Sequence, residues 1–276
     1  MSETYKPDRV WSWKPDSSGK FASINRPSSG STHEAKLPRG QHPFQLYSLA
    51  TPNGVKVTIL FEELLQLGFK EAEYDAWPIS ILEGDQFGSE FVSINPNSKI
   101  PALLDCSSEK TIPIFESGHI LLHLAEKFKT FIPKSLGQRS ETLNWLFWQM
   151  GSAPYLGGGF GHFYQYAPEK LQYPIDRFTL EVKRQLDLLN KKLEATAYIA
   201  GPEYTIADMA IWPWYGGLFC SNLYEASEFL DLKAYPSLAA WAKKIQARSA
   251  VVKGCRVNRT WGDNPLPERH SDSDFL

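Results

Sequence analysis

The run Thr51-Pro52-Asn53-Gly54 carries the first chemistry that this chain suggests. Thr51 stands where a strand ends and Pro52 where a helix can begin. Ordinary capping accounts for the pair, since Thr favours the N-cap and Pro the first helical position. The same placement offers a hydroxyl and free N–H groups at a helix N-terminus, which together attract an anion, a thiolate among them. A second start of this kind lies at Phe115-Glu116-Ser117-Gly118. There Ser117 could be a cap only, or the free N–H groups could hold a carboxylate. Two such starts on one crevice would suit a ligand with separated negative groups. Between them, Lys99-Ile100-Pro101-Ala102-Leu103 puts a proline before a strand. It is either a strand-start proline or, in the cis form, a device that turns the Ile100 backbone toward a peptide-like ligand.

Other motifs fail on inspection. A G-x-G-x-x-G match begun at Gly157 would need glycine at 162, where His162 stands, and no strand precedes it. The segment reads as a kinked helix end or flexible lip, and His162, alone among aromatics, as structural. Cys106, Cys220 and Cys255 are odd in number and widely spaced, which argues against a disulfide framework or a metal cluster. None stands at a helix start, where a thiol would be activated. No H-E-x-x-H, G-x-S-x-G or C-x-x-C is present, and no metal is expected.

These residues need a scaffold. Residues 1–43 hold eight Ser, five Pro and three Gly with no helical period, which reads as an irregular arm. Trp11, Trp13 and Phe21 are anchors that would be wasted in solvent, so the arm is expected to pack on the body. Residues 44–130 have an α/β texture. Strands are predicted at 44–49, 71–77, 99–105 and 112–115, the last two as an antiparallel pair. Val57, Leu60, Phe61 and Leu64 mark a helix that stops at Gly68, and Ser117 opens another with Ile120, Leu121, Leu124 and Phe128 on one face. After a linker at 131–138, residues 139–276 are expected to be all-helical. Phe178, Val182, Leu186, Leu189 and Leu193 form one stripe, and Thr205 with Asp208 a near capping box. Aromatics crowd residues 140–220, either as the core of this domain or as the wall of an apolar pocket facing the first.

Charge narrows the function classes. Lys plus Arg is 29 and Asp plus Glu 31, a net charge of −2, so the chain lacks the footprint of a nucleic-acid binder. No apolar run reaches the ~18 residues of a membrane span, and the N-terminus has no apolar signal core. A cytoplasmic, reduced protein with no nucleic-acid or membrane partner is expected.

Together these pieces resemble a glutathione transferase: an α/β thioredoxin-like domain followed by an all-α domain. The resemblance rests on Thr51-Pro52, the N-P-x-x-K-I-P-A-L run at 95–103, Glu116-Ser117 and T-I-A-D-M-A at 205–210. More narrowly, INRP at 24–27, LYSLATPNGVKV at 46–57, NWLFW at 144–148, PYLGGGFGHFYQYAP at 154–168 and TIADMAIWPW at 205–214 resemble the bacterial Nu-class enzymes, glutathione-dependent disulfide-bond reductases. The resemblance implies glutathione as co-substrate, small disulfides or electrophiles as partners, and a homodimer. It implies that Thr51, Pro52 and Asn53 surround the glutathione sulfur, with Thr51 and Asn53 catalytic. Ile100 would pair with the cysteinyl unit, with Pro101 cis. Glu116 and Ser117 would hold the γ-glutamyl end, and Gln86 and Lys99 the glycyl end. Asn25 would reach the site from the arm, from the partner subunit if not its own, and Arg177 would help to hold a second glutathione. The chain departs from the class at Met150, where the class has Gln. Gln149 is adjacent but points about 100° away on a helix.

With Thr51 and Gly54 where a thioredoxin-type enzyme has cysteines, glutathione itself would supply the sulfur. Lowering a thiol pKa of ~8.5 by about two units takes roughly 2.7 kcal/mol. A hydroxyl hydrogen bond to a charged sulfur gives ~1.5–3 and a helix terminus ~0.3–1 kcal/mol, so Thr51 with the Asn53 end of the helix suffices. Tyr47 is a rival hydroxyl. Conjugation of electrophiles, peroxide reduction and a non-catalytic glutathione-fold binding role are the alternatives.

Overall fold

The computed structural model describes residues 6–14, 21 and 24–276. β1 (Phe44–Ser48) is buried along its whole length, which makes it an inner strand. It pairs in parallel with β2 (Tyr74–Pro78) and antiparallel with β3 (Ala102–Asp105), and β4 (Ile112–Phe115) pairs antiparallel with β3. The result is a mixed sheet in the order β2-β1-β3-β4. The β1-to-β2 crossover is α1 (Pro52–Gln66), which ends beside Gly68 at φ +91°, a left-handed stop that suits glycine. The stretch without a pattern between β2 and β3 holds the short α2 (Ser89–Ile94). After β4 comes α3 (Ser117–Phe128). This is a thioredoxin-like α/β domain, and a helical domain follows it.

The helical domain runs through α4 (Leu136–Pro154), a wide π-type helix Tyr155–Tyr166, α5 (Gln172–Ala195), α6 (Ile206–Ile211), a second wide turn Trp212–Gly216, α7 (Gly217–Cys220), α8 (Pro236–Gln246) and α9 (Ser249–Gly254). The glycine run is helical and packed, not a lip. A Cβ added at Gly157, Gly159 or Gly161 would run into the rings of Trp214, Phe178 and Tyr224 respectively, so those glycines let aromatic rings lie on the helix. Thr205 and Asp208 form a capping box at the start of α6. Asp208 also accepts from the Ile199 N–H and the Trp241 indole, both at 2.9 Å.

The arm runs beside α2. Thr32 N–H donates to Phe87 O, Ser89 N–H to His33 O, and Leu37 N–H to the Glu90 carboxylate. Phe21 meets the Tyr166 ring edge-on. Trp11 and Trp13, expected as anchors, are instead exposed at 65% and 43%, with no cover from the described residues.

Residues 255–276, expected within the helical domain, leave it after α9 and return to the first domain. Arg269 and Ala76 exchange backbone hydrogen bonds, which covers the free edge of β2. The Arg269 side chain is fully buried. It lies 3.3 Å from Glu62, pairs with Glu73, donates to Tyr74 O and stacks over the Tyr74 ring. Beside it, Asp75 accepts from the His42 N–H, Gln45 and the His270 ring. The arm, α1, β1, β2 and the tail therefore meet around two buried acids, Glu62 and Asp75.

Arg269→Ala would leave Glu62 buried without its cation, a loss of about 3–5 kcal/mol. The urea midpoint should fall accordingly, and adding Glu62→Gln to Arg269→Ala should recover part of the loss. An Arg269→Ala protein as stable as wild type would show that the tail does not clamp the fold.

Candidate functional site

The C-terminal end of β1 turns directly into α1. Thr51 takes the N-cap position with extended backbone, yet its side chain caps nothing. Among the described residues its hydroxyl makes no hydrogen bond and stays available. The turn is braced from behind, since Thr51 N–H donates to Leu49 O at 2.7 Å and Ala50 N–H to Asn258 O at 3.1 Å. Gly54 sits against this turn so closely that any Cβ would strike Leu49 O and Ser48 Oγ. A side chain of any kind is therefore excluded at the position where a second redox cysteine would stand.

A crevice of roughly 310 Å³ opens beside this turn. It gathers Thr51, Pro52, Asn53, Gln86, Lys99, Ile100, Pro101, Glu116 and Ser117, so both helix starts face one space. The Ile100–Pro101 peptide is cis. Asn95 shapes the loop before it, donating to Lys99 O at 2.6 Å and accepting from Asn97 N–H at 2.9 Å. Glu116 has φ +70°, an uncommon conformation for a residue with a side chain, of the kind that clusters at functional sites. Two buried polar atoms of the lining have no partner among the described residues: Gln86 Oε1 and Ser98 Oγ. Orphans of this kind call for a ligand or water.

Some lining residues come from elsewhere than the sequence signals. Trp214, from the wide turn after α6, donates its indole N–H to Asn53 Oδ1 at 2.9 Å and closes the crevice from the helical side. That bond uses the Asn53 oxygen and leaves its Nδ2 to donate into the site. Ile24, not Asn25, lines the crevice. Asn25 is exposed, donates to Phe21 O and lines a neighbouring hollow. Arg177 is exposed on α5 and lines neither. Trp214 falls inside the TIADMAIWPW run and Asn95 inside the N-P-x-x-K run, so both were visible as motif residues, but nothing local told of their contacts.

The rival hydroxyl is excluded by position. Tyr47 is fully buried and donates to Pro38 O at 2.8 Å, and burial pushes its phenol up to about 12. Met150 packs on Gly118, while Gln149 turns inward and accepts from Lys56 at 2.7 Å. On the other side of Thr51 and Pro52 lies a larger cavity of about 1160 Å³. Tyr166, Trp212, Tyr224, Trp261, Cys220 and Cys255 are among the residues that line it. The turn is thus the wall that two cavities share.

Replacing Gly54 with Ala should cost about 1–3 kcal/mol by overpacking, read as a lower thermal midpoint. It should also pull Thr51 out of place. A Gly54→Ala protein with an unchanged midpoint would show that the close approach to Leu49 can relax.

A glutathione S-transferase N-terminal domain matches residues 42–126, and a glutathione S-transferase C-terminal domain matches 172–244. The disulfide-bond oxidoreductase YghU of Escherichia coli is 59% identical over 99% of this chain and 95% of its own length. The crystal structure of a glutathione transferase YghU from Streptococcus pneumoniae, complexed with glutathione, superposes with a TM-score of 0.91 at 59% identity. It covers 93% of this chain and 99% of its own. A glutathione transferase family member from Pseudomonas fluorescens, with two glutathiones bound, superposes at a TM-score of 0.72 with 38% identity, over 78% of this chain and 94% of its own.

Proposed function

The chain belongs to the glutathione S-transferase family, and from that premise we propose that it is a glutathione-dependent disulfide-bond reductase of the Nu-class type, with no protein cysteine in its mechanism. The observation that carries this reading is the Thr51 hydroxyl, free of any capping bond on the wall between two cavities. Glutathione would lie in the smaller one. Thr51 and Asn53 Nδ2 would donate to its sulfur, and the Ile100 backbone would pair with the cysteinyl unit. Glu116 and Ser117 would hold the γ-glutamyl end and Lys99 the glycyl carboxylate. One N–H of Gln86 Nε2 donates to Ile81 O at 3.1 Å, and Gln86 would accept a ligand N–H through its buried Oε1.

The disulfide substrate would enter the larger cavity. The bound thiolate attacks one of its sulfurs and expels the other as a thiolate, leaving a mixed disulfide. A second glutathione thiolate then attacks the glutathione sulfur of that mixed disulfide, which frees the second substrate thiol and oxidised glutathione. Arg177, exposed on α5 and outside both cavities, would help to hold this second glutathione only by the family likeness. Asn25 lies outside its own chain's crevice; a homodimer in which it would serve the neighbouring site rests on the family likeness alone. Cys106 lines neither cavity, and the other two protein thiols are poorly suited to a part in the reaction. Burial pushes Cys255 up to about 12 and raises Cys220, so both stay protonated, and only a thiolate attacks. The aromatic lining of the larger cavity would also admit an aryl electrophile, which keeps conjugation as the second reading.

A coupled assay should show strong turnover of a model disulfide and weak turnover of an aryl halide. The reverse ratio would favour conjugation, and no turnover of either a binding protein. Thr51→Ala should lower turnover near neutral pH by ~10–100-fold, the worth of ~1.4–2.7 kcal/mol, and move the rise of the pH–rate profile upward. An identical profile in the two proteins would remove Thr51 from the mechanism. A folded Cys106/Cys220/Cys255→Ser triple variant should keep most of its reductase activity. Loss by orders of magnitude would make the enzyme cysteine-dependent.

A further inference from the structure

Lys56 lies on α1 one turn beyond the Thr51 hydroxyl and is 1% exposed. A lysine is almost never buried so completely without a carboxylate against it. Here none touches it. Its amine donates to Gln149 Oε1 at 2.7 Å and to Ser117 Oγ at 3.3 Å. Among the described residues, Glu116 is the charged group that acts on it, and that carboxylate is exposed at the crevice mouth. Of the other charged or titratable groups on elements packed against α1, Lys70 and Glu71 just after it and His119 of α3 are exposed, Glu126 of α3 pairs with Arg139, and the rest have partners elsewhere. Asp208 of α6 is tied to Ile199, Thr205 and Trp241, Lys253 of α9 to Asp272, and His123 and Lys127 of α3 to Asp105. A site for a cation has been built behind Ser117 with its counter-charge missing.

We propose that Lys56 is a positioning residue of the carboxylate subsite: it holds the Ser117 hydroxyl so that the hydroxyl donates into the crevice, and it takes up a proton when the γ-glutamyl carboxylate of glutathione arrives there. This rests on the reading of the crevice as the glutathione site. In its ammonium form Lys56 Nζ has no lone pair and can only donate to Ser117 Oγ, and among the described residues the Ser117 O–H has no acceptor, so in that form its proton is left to meet the ligand. Burial pushes the Lys56 amine down to about 7, with Glu116 working weakly against it. Near neutral pH a good fraction of the empty protein then carries a neutral amine. A bound carboxylate favours the ammonium, so the complex takes one proton from solvent onto Nζ in that fraction. Proton uptake on binding means that affinity falls as pH rises above about 7.

The test uses S-methylglutathione, which has no thiol to titrate, and calorimetry in buffers of different ionisation enthalpy between pH 6.5 and 8. The wild type should bind it with net proton uptake that grows through this range. Lys56→Met should bind ~10–100-fold more weakly, the range for losing a hydrogen-bonded charge, and without that uptake. Lys56→Arg stays charged at all these pH values and should regain affinity but not proton uptake. A ligand arm needs no variant to fold: the analogue with 4-aminobutyryl in place of γ-glutamyl keeps the amine, loses the carboxylate and should bind the wild type without the extra uptake. If the wild type binds S-methylglutathione with the same proton balance as Lys56→Met, or the same as with the analogue, Lys56 has no part in the subsite while the glutathione reading stands. If the wild type binds neither glutathione nor its S-methyl derivative, the reading of the crevice fails and this proposal fails with it.

Discussion

Helix α1 has no solvent face along most of its length. Every residue from Gly54 to Leu64 is buried, between the sheet on one side and α6 and α9 on the other. A helix in that position must still dispose of its polar side chains, because an unpaired buried charge costs more than most single contacts supply. Each has found a partner from a distant part of the chain. Lys56 bonds Gln149 and Ser117, and Thr58 donates to Gly254 O at 2.7 Å. Glu62 takes Tyr74 and Arg269, and Glu63 takes a bidentate Arg248. The domains and the tail are held in register through this one helix.

The crevice follows from the same packing. With α1 clamped, its N-terminus is fixed against the end of β1, and the close approach of Gly54 to Leu49 sets how Thr51 faces outward. The start of α3 is fixed through Ser117 and Lys56, and Trp214 ties the helical domain to Asn53. The two helix starts, each of which favours a negative group of a ligand, are thus held at a set spacing by buried contacts below the floor of the site. That floor is rigid without any covalent link, which suits chemistry in which the reacting sulfur arrives with the ligand.

The tail adds a second constraint. Arg269 is buried beneath β2 with carboxylates around it, and the His270–Asp75 pair draws in His42 from the other end of the chain. A free sheet edge is covered by this segment instead of by a further strand. The same region passes Asn258, whose carbonyl receives the Ala50 N–H just before the Thr51-Pro52 turn. Stability and site geometry are linked at that bond.

Much of this was readable from the residues. Alternation and helical spacing located the four strands, α1, α3 and α5, because those patterns are local consequences of one buried face. The hydroxyl-Pro turn, Lys99-Ile100-Pro101 and Glu116-Ser117 were visible for the same reason: capping and strand-start chemistry is written within a few residues. Tertiary structure decided the rest. Lys56, Glu62 and Glu63 look like the wet side of an amphipathic helix next to Val57, Leu60, Phe61 and Leu64, and only a second layer over α1 makes them buried. Gly157, Gly159 and Gly161 look like a loop until the rings of Trp214, Phe178 and Tyr224 lie on them. Arg269 sits in a polar tail with no period to betray it, and its burial depends on carboxylates some 200 residues earlier. Periodicity reports one face of one element; which second surface arrives, and which distant partner satisfies the charges it buries, is set by contacts that leave no trace in local spacing.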